Sequence, residues 1–209
     1  MLEQPLKFFV VFFVVVEPVS LIPLFSRLTQ GANVAYKRRM AAKAVVVAAG
    51  ILLLFALGGA AFLELMGISL EAFRIFGGLL LFLLAIEMVF ARESGTRTST
   101  DEQAESRRRA DISVFPLAFP FIAGPGALAT ILLWFGPIHI PAQTALFVGL
   151  SVGVALVLAI SLVMMWLADP LMRIIGVTGA NVAGRLLGVI LGALAVQFVI
   201  DGLRNTFSG

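Results

Sequence analysis

Six apolar runs of about twenty residues each decide the solvent in which this chain folds. They cover residues 6–28, 40–63, 69–91, 112–135, 142–167 and 181–203. An α-helix needs about 20 such residues to cross a hydrocarbon core of about 30 Å. Membrane strands alternate polar and apolar positions over about ten residues, and these runs are longer and apolar all round. The chain has 60% hydrophobic and 13% charged residues, with mean hydropathy +1.06. Soluble domains carry about 25% charge. The expected fold is an all-α integral membrane protein with six transmembrane helices in one domain. The first run follows a single lysine, contains an acid and a proline, and has no small-residue cleavage pattern after it. It is therefore read as a retained helix and not as a secretory signal.

The basic balance, with a pI near 10.0, reports orientation and not nucleic-acid binding. Lys37, Arg38, Arg39 and Lys43 flank the connection between the first two helices. Arg92, Arg97, Arg107, Arg108 and Arg109 lie between the third and fourth, and Arg173 between the fifth and sixth. The other connections hold few basic residues, so the positive-inside rule puts both termini outside a prokaryotic cytoplasmic membrane. Anionic lipid is the natural contact for the basic side. The polar stretch 92–111, "RESGTRTSTDEQAESRRRAD", is read as a cytoplasmic linker between residues 1–91 and 112–209.

These two halves resemble one another. "PVSLIP" in the first helix and "PFIAGP" in the fourth both set two prolines five residues apart: Pro18 with Pro23, and Pro120 with Pro125. The third helix has "RIFG" with Glu87 thirteen residues after Arg74, and the sixth has "RLLG" with Gln197 twelve residues after Arg185. A repeat of three helices re-enters the membrane from the opposite side. The pattern thus predicts two inverted-topology three-helix repeats, a layout of many secondary transporters, with helices 1 and 4 broken at their proline pairs.

The break in helix 1 carries the one charge within its long apolar stretch, Glu17 in "FFVVFFVVVEPVSLIPLF". Acids inside a membrane are costly and usually mark a solute or ion path. Pro23 and Pro125 each suit the first position of a new half-helix, whose free N–H groups attract an anion such as a carboxylate. Gly124 and Gly126 in "AGPGA" permit close backbone approach. The expected binding set is Glu17, Pro18, Ser20, Pro23, Pro120, Gly124, Pro125, Gly126 and Thr130, with Glu87 and Gln197 as secondary candidates. Glu17 would bind an ammonium group, sodium or a proton. Its structural alternative is an acid that only satisfies unwound backbone. Asp169 and Asp201 read as interfacial, and Trp134 and Trp166 as interfacial anchors. Glycines at four-residue steps, Gly184, Gly188 and Gly192 in helix 6 and Gly149 and Gly153 in helix 5, let helices approach closely. Packing within the chain is the expectation, and a homo-oligomer stays open.

No metal-ligand spacing, nucleotide loop or hydrolase triad is found, so neither cofactor nor enzymatic activity is expected. Membrane thiol–disulfide chemistry needs a cysteine pair, and the chain has no cysteine.

The segments "EPVSLIPLF", "AFRIFGGLLLFLLAIEM", "FPLAFPFIAGPGALAT" and "GRLLGVILGALAVQFVIDGL" resemble the MarC family of prokaryotic inner-membrane proteins, related to the LysE-like transporter superfamily. The likeness spans nearly the whole chain. It implies a six-helix membrane protein and transport of small neutral amino acids, such as glycine and alanine, driven by a proton or sodium gradient. Helix 1 of the family usually reads D/N-P-x-G-N-x-P-x-F; here Glu17, Ser20 and Leu21 replace the acid or amide, the glycine and the asparagine. The loss of an amide at Leu21 removes a polar ligand and makes Glu17 the natural coupling group. The alternative function class is a channel or a non-transporting regulatory membrane protein.

Overall fold

The structure, a computed structural model, describes residues 3–90, 111–138 and 142–207. Every regular element among them is helical: α1 (Glu3–Val16), α2 (Pro18–Leu28), α3 (Val34–Leu65), α4 (Leu70–Phe90), α5 (Ser113–Ile122), α6 (Pro125–Phe135), α7 (Thr144–Trp166) and α8 (Ala168–Phe207). Five stretches are long and apolar enough to cross a membrane, and α5 with α6 makes a sixth if that pair, bent by 56°, is taken as one span. Linker residues 92–110 and His139 lie outside the described residues.

The first span is interrupted for a single residue. Glu17 adopts φ 53°, ψ 62°, a left-handed conformation that costs a non-glycine residue about 1–2 kcal/mol. Pro18 disfavours the ordinary helical setting at the residue before it and then starts α2, where its missing N–H breaks no helical bond. The expectation that Pro23 starts the new half-helix is corrected here: Pro23 lies inside α2.

The fourth span is more irregular. Phe115 (φ −126°, ψ 127°) and Phe119 (φ −127°, ψ 131°) are extended. Each precedes a proline, which pushes its neighbour out of the helical region, and both phenylalanine–proline peptide bonds are cis. The hydrogen bonds widen accordingly, with the N–H of Leu117 donating to Ile112 at 3.3 Å and that of Ala123 to Ala118 at 2.8 Å. Gly124 is extended, and Pro125 begins α6. A Cβ on Gly124 would lie 2.1 Å from the Pro120 carbonyl oxygen, so this turn admits only glycine.

Small residues bring the spans together. Where α4 meets α8, a Cβ on Gly78 would lie 2.9 Å from the Ala195 carbonyl oxygen, and one on Gly188 would lie 2.8 Å from Met88 Cβ. Between α1 and α7, Gly149 and Gly153 receive Pro5 and Phe8. Both glycine ladders are thus used inside the chain. Phe8 also stacks on Phe12 at 5.3 Å and meets Trp134 and Phe135 edge-on at 5.6 and 5.8 Å. Trp134 is therefore part of an internal ring cluster, in contrast to the interfacial anchor expected of it, whereas Trp166 is 47% exposed at the end of α7. Outward-facing side chains such as Val46, Leu54, Phe76 and Leu186 are more than half exposed, the apolar belt that lipid would cover.

The last element starts earlier than the apolar run. It begins at Ala168 and kinks at Gly176, whose φ is 66°. The span proper follows as Thr178–Phe207.

Candidate functional site

Glu17 is buried, 3% exposed, at the junction of α1 and α2. Ser20, one turn on, donates its hydroxyl to Glu17 Oε1 at 2.5 Å. The backbone stays connected across the junction: the N–H of Glu17 donates to Phe13 at 2.9 Å, and its carbonyl accepts from the N–H of Ser20 at 3.1 Å. The left-handed setting is thus held from both sides while the side chain turns toward α8. There it meets Gly184, on which a Cβ would lie 2.9 Å from Oε1 and 3.9 Å from Ser20 Oγ.

Gly184 is the residue that sequence reasoning placed elsewhere. Read as one step of a packing ladder, it belongs to a stripe whose other two members, Gly188 and Gly192, do face α4. Only its own neighbour differs: a carboxylate in place of an apolar side chain. The signal available in the sequence was the mere presence of glycine.

The second break lies beside the first. Val15, two residues before Glu17, has Cγ1 3.3 Å from where a Gly126 Cβ would stand. Val15 also lines a cavity of about 20 Å³ together with Leu84, Pro120, Gly124, Gly126 and Ala127. A volume of this size holds about one water. At the start of α6, helical geometry leaves the N–H groups of Gly126 and Ala127 without acceptors in their own helix, and no side chain caps them. That end carries partial positive charge.

The residues of the expected set fall into two groups. Glu17, Pro18 and Ser20 form one with Gly184; Pro120, Gly124, Pro125 and Gly126 form the other, with Val15 between them. Pro23 is half-buried within α2. Thr130 does not line the cavity: it is fully buried and donates its hydroxyl to the Gly126 carbonyl at 2.9 Å, a backbone contact common for threonine in apolar helices. Glu87 is half-buried in the last turn of α4 and does not line the cavity either. Gln197 is exposed and donates to Asp201 at 2.8 Å, which sets it apart from both breaks. Among the described residues no group of three or more histidine, aspartate or glutamate side chains is placed to hold a metal ion.

A family model described as "MarC family integral membrane protein" matches residues 2–207. The membrane protein YhcE of Escherichia coli (strain K12) is 32% identical over 203 residues, covering 97% of this chain and 93% of the relative. The membrane protein YvbG of Bacillus subtilis (strain 168) is 34% identical over 201 residues, covering 95% and 93%. The archaeal membrane protein MJ0972 of Methanocaldococcus jannaschii is 32% identical over 201 residues, covering 96% and 86%. No solved structure gives a significant match. Five or six apolar spans are in keeping with a family match over almost the entire length: the chain belongs to the MarC family of integral membrane proteins.

Proposed function

We propose that the protein is a secondary transporter of a small zwitterionic solute, with small neutral amino acids as the first class to test, coupled to a proton or sodium gradient through Glu17. The observation that carries this reading is a buried carboxylate held at a left-handed residue inside an apolar span. Backbone strain and intramembrane acids both concentrate at working sites. The uncapped start of α6 supplies the complementary partial positive charge for a solute carboxylate. The cavity beside it, about 20 Å³, is too small for an amino acid, so solute entry requires the spans to part.

The helix pairings support an inverted repeat. Exchange of the halves maps α1 and α2 onto α5 and α6, α3 onto α7, and α4 onto α8. Under that exchange the contacts of α7 with α1 and α2 become those of α3 with α5 and α6. The contact of α4 with α6 becomes that of α8 with α2, while α4–α8 and α3–α7 map onto themselves. Alternating access in such folds comes from exchange between two arrangements of the halves.

Purified protein in liposomes, offered labelled small amino acids under imposed proton or sodium gradients, tests the function. The expected outcome is saturable accumulation against the solute gradient, dependent on one of the two ions. Fast passive flux would instead identify a channel, and no flux of any solute a regulatory membrane protein. A brace role for Glu17 is favoured by one specific contact, the Ser20 hydroxyl on Oε1.

A further inference from the structure

One end of the helix bundle is tied together by charge. Lys37, in the first turn of α3, has Nζ 2.6 Å from Asp169 Oδ2 at the start of α8. Asp169 also lies 3.4 Å from the hydroxyl of Ser26 in α2. Further along α3, Lys43 pairs with Asp111 at the entry to α5. Asp111 additionally accepts the N–H and the hydroxyl of Ser113 at 2.9 and 2.5 Å. The Lys43 ammonium, and then Ser113, hold its carboxyl well below the usual carboxylate range. One helix of the first half is thus fastened to the end of the linker just before α5 and to the first turn of α8.

The opposite end differs. The Glu3–Lys7 pair, 2.6 Å long, lies within α1 and joins no two elements. Among the described residues, Glu64, Glu71, Arg74, Asp201 and Arg204 form no ion pair between elements. The seam between α3 and α5, closed by Lys43 and Asp111, has the seam between α7 and α1 as its counterpart under exchange of the halves. Alongside that second seam runs an apolar cleft of about 900 Å³, bordered by Pro5, Leu6, Phe9, Leu146, Val152 and Leu156. The two seams related by that exchange therefore differ in charge: one is tied by an ion pair, and the other is packed at Gly149 and Gly153 with an open groove beside it.

We propose that Lys43–Asp111 and Lys37–Asp169 form a latch that shuts the basic face and must part before the Glu17 site opens on that side. The inference rests on the transporter reading and names how its site is regulated. Partly exposed ion pairs are individually weak, which suits a closure that is made and broken in each cycle. A bistable fold needs its two states close in free energy, and a strong permanent tie at one face would trap it.

The chain has no cysteine, so an introduced one reports without background. Ala44 is fully buried beside Lys43 on α3. In full-length protein, Ala44→Cys should react slowly with a small water-soluble thiol reagent. Adding Asp111→Asn and Asp169→Asn should speed labelling by of the order of tenfold, as expected for two weak pairs released together. Reversing both pairs, Lys43→Asp with Asp111→Lys and Lys37→Asp with Asp169→Lys, should restore the slow rate. Unchanged labelling after neutralisation, or fast labelling that reversal fails to slow, overturns the latch. A second variant, Lys43→Cys with Asp111→Cys, should lose solute accumulation when oxidised and regain it on reduction. Full accumulation by the oxidised protein also overturns the latch. If the parent protein moves no solute at all, the transporter reading falls, and the labelling rates alone still decide whether the face is latched.

Discussion

At the scale of single residues, the proposed coupling rests on Glu17, a buried acid at a helix break. Its carboxylate lies between a hydroxyl and a glycine backbone, with Ser20 Oγ at 2.5 Å. Gly184 supplies room where any side chain would press on Oε1. A neutral amide fits that space and keeps a hydrogen-bonding oxygen for Ser20, but it cannot ionise. Glu17→Gln should therefore abolish proton-driven accumulation while leaving solute exchange partly intact. Glu17→Asp should keep coupling, since it retains the acid with a shorter reach. Under a sodium gradient the expected sign is loss of sodium dependence in the Gln variant, because a carboxylate is a sodium ligand and an amide is a poorer one. Accumulation measured in liposomes decides: a Gln variant that concentrates solute like the parent would leave Glu17 as a brace for unwound backbone.

At the scale of elements, the break between α5 and α6 makes the sharpest demand. A Cβ on Gly124 would meet the Pro120 carbonyl oxygen at 2.1 Å, whereas one on Gly58 in α3 would meet nothing within 4 Å. Gly124→Ala should lower stability by about 1–3 kcal/mol, the usual cost of forcing atoms into filled space. Gly58→Ala should be neutral or slightly stabilising, since alanine is the better helix former. Thermal unfolding in detergent compares the two, and equal melting temperatures would show that the turn relaxes freely. The spans themselves were legible in the sequence because each is a run of apolar residues, and a membrane leaves such runs little choice but to form helices. Which proline starts a helix was not legible. Both Pro18 and Pro23 suit a first turn, and the choice is made by Glu17 taking the left-handed setting. The role of Thr130 was equally hidden, since its hydroxyl meets a backbone carbonyl of its own helix, which no side-chain pattern marks. Gln197 and Asp201, four residues apart, do carry the spacing of a helix-surface pair. Gly184 was visible only as a packing step, because the identity of its neighbour is a property of the assembled bundle.

At the scale of the whole molecule, charge sets which way the bundle faces. Of the 15 lysines and arginines, Arg27, Lys37, Arg38, Arg39, Lys43 and Arg173 lie at the end where α2 finishes and α3 and α8 begin. Lys7, Arg74 and Arg204 lie at the other, near the starts of α1 and α4 and the end of α8. Segments rich in lysine and arginine are retained on the cytoplasmic side, so the latch should face the cytoplasm and the α1–α7 cleft the outside. Gln30, after α2, and Asn205, in the last turn of α8, are both exposed and belong to opposite ends. Each can be replaced by cysteine in a chain that has none of its own. A membrane-impermeant maleimide applied to intact cells should label Asn205→Cys and spare Gln30→Cys, with Gln30→Cys becoming reactive once the cells are opened. The reverse pattern would turn the molecule over. The latch would then close the outer face, and the Glu17 site would open first toward the cytoplasm.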